Sequence, residues 1–375
     1  MKKLLIAAAT ILAVAGALFV YRQQAQAPEH HAKETPALSY VDAALSRMSL
    51  RDKVASLLVM NRDGTDPAAL SAFMDTYRLG GFILMGENMP ATDEKLLQIT
   101  SALKGGDTKL PRLVAVDEEG GTVKRLLGDN YLSAHELKNL PVNKTAQAFV
   151  ARSNMVASVG ITLNFGVVAD TTADKKSFIY DRVLGTTPAS ASVRVAAAVE
   201  ASKGRTLTTL KHFPGHGETE ADSHHTVPTA PLAYADWLVR DEPPFKAGID
   251  AGADVVMMGH LRYSSVDSLP ASLSKKWHDI LRHDLGFKGA IITDAMGMLP
   301  ASGDKSFADP VKTAVAALNA GNTMLLYVIN PAKTPAVLID GIVAAAERGD
   351  IRESVITDDA KAALELRSRS AGLPK

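Results

Sequence analysis

The sequence predicts an α/β protein, a (β/α)8 barrel of the TIM type formed by a single domain. Eight short apolar runs occur between residues 55 and 330, and each ends in polar or glycine-containing residues. Helix-like patterns separate these runs, which is typical of repeated strand and helix units around a parallel sheet. Eight such units over roughly 330 residues are what a barrel of this type requires, with some insertions.

The eight apolar runs are expected to be the barrel strands. In chain order they are ASLLVMN to Asn61, GGFILMGEN to Asn88, RLVAVDEEGG to Gly121, GITLNFGVVAD to Asp170, TLTTLKHFPGHG to Gly217, ADVVMMGH to His260, GAIITDAMGM to Met298 and TMLLYVIN to Asn330. Barrel enzymes carry their active sites on the loops after the carboxyl ends of the strands. The polar residues that end these runs are therefore the first candidates for a functional site.

An open, doubly wound sheet is the alternative fold. Ligands of such sheets also bind beyond the carboxyl ends of the strands, often through a glycine-rich phosphate loop. No run is followed by G-x-G-x-x-G or by G-x-x-x-x-G-K-[ST]. Nucleotide binding therefore gains no support from the sequence.

The composition excludes several classes of function. The chain has 375 residues, of which 46% are hydrophobic, so it can bury a large core. Lysine plus arginine and aspartate plus glutamate both number 41, and this zero net charge does not favour a nucleic-acid partner. Cysteine is absent, which excludes disulfides, thiol nucleophiles and thiolate zinc sites and fits an exported protein.

The N-terminus predicts export. Residues 1–27 combine a positively charged start with an uncharged run from Leu4 to Val20, as in a signal peptide or an N-terminal membrane anchor. The small residues Ala25 and Ala27 fit a cleavage site, but Pro28 should hinder cleavage there, and the run is long enough to span a bilayer. We expect residues 28–38 to form a flexible linker and residues 39–370 to form the barrel domain, on the outer face of the membrane or secreted.

The segment KHFPGHGETEADSHHTVPT, residues 211–229, is the most unusual stretch, with four histidines after a predicted strand. One hypothesis is a divalent metal site formed by His212, His216, Asp222 and His224, although the spacing matches no familiar zinc pattern. The other hypothesis is an acid/base pair. Here Asp222 accepts a hydrogen bond from one ring nitrogen of His224, and the second nitrogen transfers protons near neutral pH.

The remaining histidines of this segment, His216 and His225, are expected to hold the loop in shape through hydrogen bonds. Asp294, at the end of the seventh apolar run, is the candidate partner of the acid/base pair. A buried aspartate is unfavourable unless it is paired or used in chemistry. The structural alternative is an N-cap for the helix that follows the strand.

These motifs together resemble glycoside hydrolase family 3. The motifs KHFPGHG, DSH, PASLS at Pro270 to Ser274 and TDAMGM at Thr293 to Met298 carry the resemblance. It extends from about residue 48 to about residue 330 through GGFILMGEN, AVDEEGGTVKRL, LNFGVVAD, DRVLG and AGNTMLL. More narrowly, the chain is similar to the bacterial β-N-acetylglucosaminidase branch of that family, whose members carry a catalytic Asp-Ser-His loop.

The resemblance implies a retaining mechanism on terminal N-acetyl-β-D-glucosaminides of an amino-sugar oligosaccharide or muropeptide. It implies that Asp294 is the nucleophile and that His224, paired with Asp222, is the general acid/base. It further implies a set of substrate-binding residues: Asp117, Arg125, Arg182, Lys211 and His212. It implies no metal and no other cofactor, and we expect a monomer.

A rival hypothesis comes from a different functional class. The same scaffold could belong to a glycoside phosphorylase, in which phosphate replaces water as the acceptor, or to a sugar-binding protein without catalysis. The presence of Asp294, His224 and Asp222 together favours the hydrolase.

Overall fold

The computed structural model describes residues 36–219, 223, 225–328 and 335–373. The predicted signal peptide or anchor, residues 1–27, lies outside the described residues, as do residues 28–35 of the predicted linker. The first described helix begins at Pro36, within the range predicted as linker. Across the described part of the chain, no helix combines the length and apolar character needed to span a bilayer.

The strands of the described residues are short and mostly buried. They are β1 (Leu58–Met60), β2 (Gly81–Leu84), β3 (Leu113–Val116), β4 (Leu163–Val168), β5 (Leu207–Phe213), β6 (Thr229–Ala230), β7 (Val255–Met258), β8 (Arg262–Tyr263), β9 (Ala290–Thr293) and β10 (Leu325–Tyr327). Each of the eight predicted runs contains one strand of an eight-stranded sheet. The strands β6 and β8 form a separate two-stranded sheet.

The eight-stranded sheet is parallel and nearly closed. Its order is β10-β1-β2-β3-β4-β5-β7-β9, which follows the chain around a barrel. Leu58 pairs with Leu325 between β1 and β10, and a parallel bridge between Ile292 and Met324 links β9 to the residue before β10. The prediction of a (β/α)8 barrel is confirmed.

Helices alternate with most of the strands along the described part of the chain. They are α1 (Pro36–Leu45), α2 (Leu50–Ser56), α3 (Pro67–Tyr77), α4 (Asp93–Lys104), α5 (Ala134–Leu137), α6 (Val142–Ser158), α7 (Pro188–Ser202), α8 (Tyr234–Arg240), α9 (Glu242–Asp250), α10 (Lys275–Asp279), α11 (Met298–Ala301), α12 (Pro310–Ala320), α13 (Pro335–Glu347) and α14 (Glu353–Ala371).

Local sequence signals explain where several helices begin. Thr187 caps α7 by accepting a hydrogen bond from the Ser190 backbone N–H, and Pro188 occupies the first turn. Asp309 caps α12 in the same way, again before a proline. A side-chain oxygen at this position accepts a hydrogen bond from one of the free N–H groups at the start of a helix. Proline is tolerated in the first turn because it has no backbone N–H group to leave unpaired.

Strand burial holds the barrel together. The residues of β1, β2, β3, β4 and β5 are all buried, as expected for parallel strands covered on both faces. Aromatic residues pack beyond the end of β5, where the Phe213 ring lies edge-on to the rings of Trp237, Phe245 and Trp277. This packing anchors the start of the histidine-rich segment, because Phe213 is the last residue of β5.

Candidate active site

The predicted site residues converge at the carboxyl ends of the barrel strands. Asp117 follows β3, Lys211 and His212 lie near the end of β5, and Asp294 follows β9. Parallel strands bring these ends to one face of the barrel, where barrel enzymes place their catalytic groups. These four residues therefore lie at the face of the barrel where the sequence predicts a site.

A cavity of about 370 Å³ opens at this face, and we call it the front cavity. Six of the eight predicted site residues line it: Asp117, Arg125, Arg182, Lys211, His212 and Asp294. The other two, Asp222 and His224, lie outside the described residues. Ser223, their common neighbour in the sequence, is buried and lines the cavity. The volume falls within the range of about 300–1,000 Å³ that is typical of small-molecule sites.

Apolar side chains form much of the remaining wall. Phe178, Met257, Met298 and Leu326 are among them. An apolar wall with a few convergent polar groups is the usual composition of a ligand pocket.

A buried ion-pair network joins the polar residues of the front cavity. The Lys211 ammonium Nζ lies 2.8 Å from Asp117 Oδ1 and 2.6 Å from Glu119 Oε1. The Arg182 guanidinium donates to both oxygens of Glu119, through Nε at 2.9 Å and Nη2 at 2.7 Å. Arg125 Nη2 is 4.0 Å from Asp117 Oδ2. We call Asp117, Glu119, Arg125, Arg182 and Lys211 the cavity network.

The cavity network keeps Glu119 and Lys211 ionised. Burial alone would raise the pKa of Glu119, but Lys211 and Arg182 hold that pKa at about 2. Burial would lower the pKa of Lys211, and Asp117 and Glu119 more than reverse this effect, so that the pKa is raised. Glu119, Arg182 and Lys211 consequently present charged hydrogen-bonding groups that hold one another in place.

Asp294 is held as a carboxylate. Its burial would raise its pKa, but His212 and His260, the Ala295 N–H and Lys211 together lower it below the usual value. The Asp294 Oδ1 atom accepts a hydrogen bond from the Ala295 N–H at 2.7 Å. A half-buried ionised carboxylate that faces a cavity is a chemically competent nucleophile.

The N-cap alternative for Asp294 does not agree with the structure. The next helix, α11, begins only at Met298, and its N-cap position is Gly297, which makes no side-chain capping bond. The carboxylate therefore has no helix-capping role among the described residues.

Asp170 orients His212. Its Oδ2 atom is 2.7 Å from His212 Nδ1, and its carboxylate also accepts the backbone N–H groups of His212 and His216. Arg182 Nη2 lies 3.3 Å from His212 Nε2. Because both ring nitrogens have partners, His212 is poorly suited to bind a metal.

The metal hypothesis therefore loses one of its four ligands. In the part of the chain that the structure describes, no three histidine, aspartate or glutamate side chains are placed to hold a metal ion. Two of the ligands named by this hypothesis, Asp222 and His224, lie outside that part.

Within the described part of the chain, His216 holds the loop through a hydrogen bond of its backbone and not of its ring. Its N–H donates to Asp170 Oδ1 at 2.7 Å, whereas its ring nitrogens have no hydrogen-bond partner among the described residues. The buried ring packs edge-on against Phe178, with 4.4 Å between ring centroids, and burial lowers its pKa to about 4. His225 is exposed.

Sequence reasoning missed three residues around the site: Glu119, Asp170 and His260. His260 binds the loop of the candidate nucleophile, because its Nε2 lies 3.0 Å from the Ala295 carbonyl oxygen. Its Nδ1 lies 2.7 Å from Ser272 Oγ, within the PASLS motif. The only available signal was position, since all three residues lie at or just beyond the ends of apolar runs.

A pair of glycines shapes the loop between Glu119 and Arg125. Gly120 and Gly121 have φ angles of 85° and 69°, in the left-handed region that favours glycine. A Cβ atom on Gly120 would lie 2.1 Å from the guanidinium Nη2 of Arg152. The loop therefore needs glycine here both for its backbone angles and for space.

The model of the glycosyl hydrolase family 3 N-terminal domain matches residues 49–366. The chain belongs to this family. The family resemblance drawn from the sequence is thereby confirmed, as is the prediction that the chain is a glycoside hydrolase.

Several curated relatives with similar sequences are named β-hexosaminidases. The β-hexosaminidase LpqI of Mycobacterium tuberculosis is 34% identical over 326 residues, which cover 82% of this chain and 80% of the relative. A β-hexosaminidase of Chromobacterium violaceum is 34% identical over 276 residues, which cover 69% and 74%.

Solved structures of the family have the same architecture. A family 3 β-N-acetylglucosaminidase from Paenibacillus sp. superposes with a TM-score of 0.81 at 28% identity, over 87% of this chain and 63% of that one. The M. tuberculosis LpqI structure superposes with a TM-score of 0.76 at 30% identity, over 87% and 96%. This chain thus spans less than two thirds of the Paenibacillus enzyme and nearly all of LpqI.

Proposed function

We propose that the protein is a retaining exo-β-N-acetylglucosaminidase that removes terminal N-acetyl-β-D-glucosamine from amino-sugar oligosaccharides or muropeptides in cell-wall turnover. The observation that carries the proposal is the ionised Asp294 at the carboxyl end of β9, facing a cavity whose walls carry the cavity network. The names of the β-hexosaminidase relatives support the substrate class.

The proposed reaction has two steps. In the first, an Asp294 carboxylate oxygen attacks the anomeric carbon, the glycosidic bond breaks, and His224 gives its proton to the departing oxygen. In the second, His224 takes a proton from water, the water oxygen bonds to the anomeric carbon, and Asp294 leaves as a carboxylate. Asp222 orients the His224 ring and stabilises its protonated form.

The cavity network would bind the sugar. Asp117 offers carboxylate oxygens to sugar hydroxyls, and Arg125 and Arg182 offer N–H donors. Lys211 and His212 complete the pocket around the hydroxyls and the acetamido group. Since the charged groups hold one another in place, the pocket is organised before the substrate arrives, which is the arrangement that favours binding of a transition state.

An assay of the intact protein tests this proposal. The substrate is a chromogenic N-acetyl-β-glucosaminide, measured alone, with added phosphate and with a chelator. We expect release of N-acetylglucosamine with retained anomeric configuration, without need of phosphate or metal. Turnover that requires phosphate and yields a sugar 1-phosphate would identify a phosphorylase, loss of activity with chelator would identify a metalloenzyme, and absence of turnover would identify a binding protein.

We also propose that the protein is exported, with a barrel domain of residues 39–370 tethered by residues 28–38. The apolar run from Leu4 to Val20 and the proline at position 28 support an uncleaved anchor for a good share of the molecules. Membrane fractionation with N-terminal sequencing checks this expectation. A soluble product that starts near residue 28 would contradict it.

A further inference from the structure

A second cavity, of about 310 Å³, lies at the opposite end of the barrel from the front cavity, and we call it the rear cavity. Among its lining residues are Ser56, Leu79 and Arg112, which precede the strands β1, β2 and β3 by one or two positions. It is therefore a feature of the amino ends of the strands. The front cavity, at the carboxyl ends, is a different site.

Arginine dominates the charge of the rear cavity. Four of its lining residues are arginines that come from separate segments: Arg47, Arg78, Arg112 and Arg367. Two carboxylates line it with them, Asp52 and Asp107. Barrel residues at this face usually serve stability, for which a concentration of like charge is unfavourable.

Carboxylates neutralise only part of this charge. Asp52 Oδ1 accepts from Arg78 Nη1 at 2.7 Å. The oxygens of Asp107 instead accept from the Tyr40 hydroxyl and from the backbone N–H groups of Lys109 and Leu110. A third carboxylate, Asp75, pairs with Arg112 from outside the cavity lining.

Arg112 keeps an unsatisfied N–H donor, and no ion pair to a carboxylate is recorded for Arg367 among the described residues. Arg112 Nη1 is buried and has no hydrogen-bond partner among the described residues. Arg367 donates to the carbonyl oxygens of Leu110 and Pro111, which carry no net charge. Burial and then the repulsion of Arg112 lower the pKa of Arg367 to about 10. A bound anion would relieve both the crowding and the missing hydrogen bond.

We propose that the rear cavity binds a phosphate group. Guanidinium groups match the oxygens of phosphate through paired N–H bonds, and several of them converging from different segments suit a tetrahedral anion. The group could arrive as inorganic phosphate or as the headgroup of an anionic phospholipid. The proposal does not depend on the activity of the front cavity, because the two cavities share no lining residue.

Calorimetric titration of inorganic phosphate into the full-length protein tests the proposal. The test variant combines Arg47→Gln with Arg78→Gln, because Arg47 is exposed and the Arg78 side chain is 71% exposed, so that neither change disturbs the core. We expect saturable binding that weakens about tenfold or more in this variant. Arg348→Gln, which removes an exposed arginine paired with Asp350, is the matched control and should bind as the parent does.

A second control separates the two cavities. Arg125→Gln alters the front cavity and should leave phosphate affinity unchanged. An unchanged phosphate affinity in the Arg47→Gln/Arg78→Gln variant, or a loss of binding in Arg125→Gln, would overturn the proposal.

Vesicle sedimentation separates the two sources of phosphate. Vesicles of phosphatidylcholine are compared with vesicles that also contain phosphatidylglycerol, and the extra protein retained by the anionic lipid is measured. If free phosphate does not bind, extra retention that disappears in the arginine variant supports the headgroup. Failure of both free phosphate and anionic vesicles to bind through these arginines would refute the proposal.

Discussion

Glu118 and Glu119 are consecutive residues, both buried, and their carboxyl groups have opposite electrostatic environments. Burial, together with the neighbouring carboxyl group of Asp129, raises the pKa of Glu118 to about 7. The same burial acts on Glu119, but Lys211 and Arg182 override it and hold the pKa at about 2. The identity of the neighbours, and not the depth of burial, decides which glutamate is ionised.

The same contrast extends to other carboxyl groups. Asp294 lies beside His212, His260 and Lys211 and has a lowered pKa, whereas burial and the neighbouring Glu218 raise the pKa of Asp241. Glu119 and Asp294 line the front cavity, and neither Glu118 nor Asp241 does so. Near neutral pH, neither Glu119 nor Asp294 can therefore donate a proton to a leaving group. The proton must come from another group, which agrees with the proposed role of His224.

The largest effect is expected from His224→Ala. The variant should lose about two to four orders of magnitude in turnover of substrates with poor leaving groups, the usual contribution of general acid catalysis. Glycosylation by substrates whose leaving group needs no proton should be largely spared, because Asp294 still attacks. Steady-state and burst kinetics on a series of aryl glycosides measure this difference.

Asp222→Ala is the matched control for His224→Ala. It should show a milder form of the same pattern, since it removes the orienting carboxylate but keeps the imidazole. An equal loss of activity for every leaving group in His224→Ala would contradict the assignment and would favour a carboxyl group or a metal as the acid.

The same substitution at the two neighbouring glutamates should have unequal effects. Glu119→Gln removes the charge that holds Arg182 and Lys211. We expect the free-energy barrier of the reaction to rise by about 3 kcal/mol, the contribution of a charge-assisted hydrogen bond. This rise lowers kcat/KM roughly 100-fold. Glu118→Gln should stay within a few-fold of the parent, because the amide oxygen can still accept from the Arg125 and Leu126 N–H groups. Similar kcat/KM values for the two variants would refute this contrast.

A smaller effect is expected on the pH dependence of stability. The folded pKa of Glu118, about 7, lies above its unfolded value of about 4.5, so the folded state binds more protons between these values. The free energy of unfolding of the parent should therefore fall as pH rises from about 4.5 to 7, on the order of 2 kcal/mol from this group. Glu118→Gln lacks this loss, because glutamine does not ionise.

Thermal melts of the parent and Glu118→Gln between pH 5 and pH 8 check this expectation. The difference in Tm should grow in favour of the variant by a few degrees as pH rises. For Glu119, whose folded pKa is lowered, the sign is reversed: its stabilising contribution is present above about pH 4.5 and is lost as pH falls toward 2. A constant Tm difference between the parent and Glu118→Gln would show that the folded state does not raise the pKa of Glu118.

The sequence predicted the strands well because a buried parallel strand is continuously apolar. LVAV in β3 and AIIT in β9 were recognisable for this reason, and each fixed the position of the aspartate that follows it. The sequence could not show that Glu119, rather than Glu118, faces Lys211 and Arg182. That choice depends on the turn at Gly120 and Gly121 and on partners 63 and 92 residues away in the chain.

Asp170 and His260 were missed for a similar reason. Each ends a predicted strand run, but its role lies in a contact with another run, to His212 in one case and to the Ala295 carbonyl in the other. Periodicity predicts that a polar residue stands at a strand end and says nothing about its partner across the barrel.

Covalent trapping decides whether the ionised Asp294 is the nucleophile. The intact protein is incubated with a mechanism-based fluorosugar analogue of N-acetyl-β-glucosamine, and its peptides are mapped by mass spectrometry. We expect one glycosyl group on Asp294, and turnover reduced by several orders of magnitude in a folded Asp294→Ala variant. A label on another residue would contradict the assignment of Asp294 as the nucleophile. So would activity of the Asp294→Ala variant within tenfold of the parent, which is a barrier change of only about 1.4 kcal/mol.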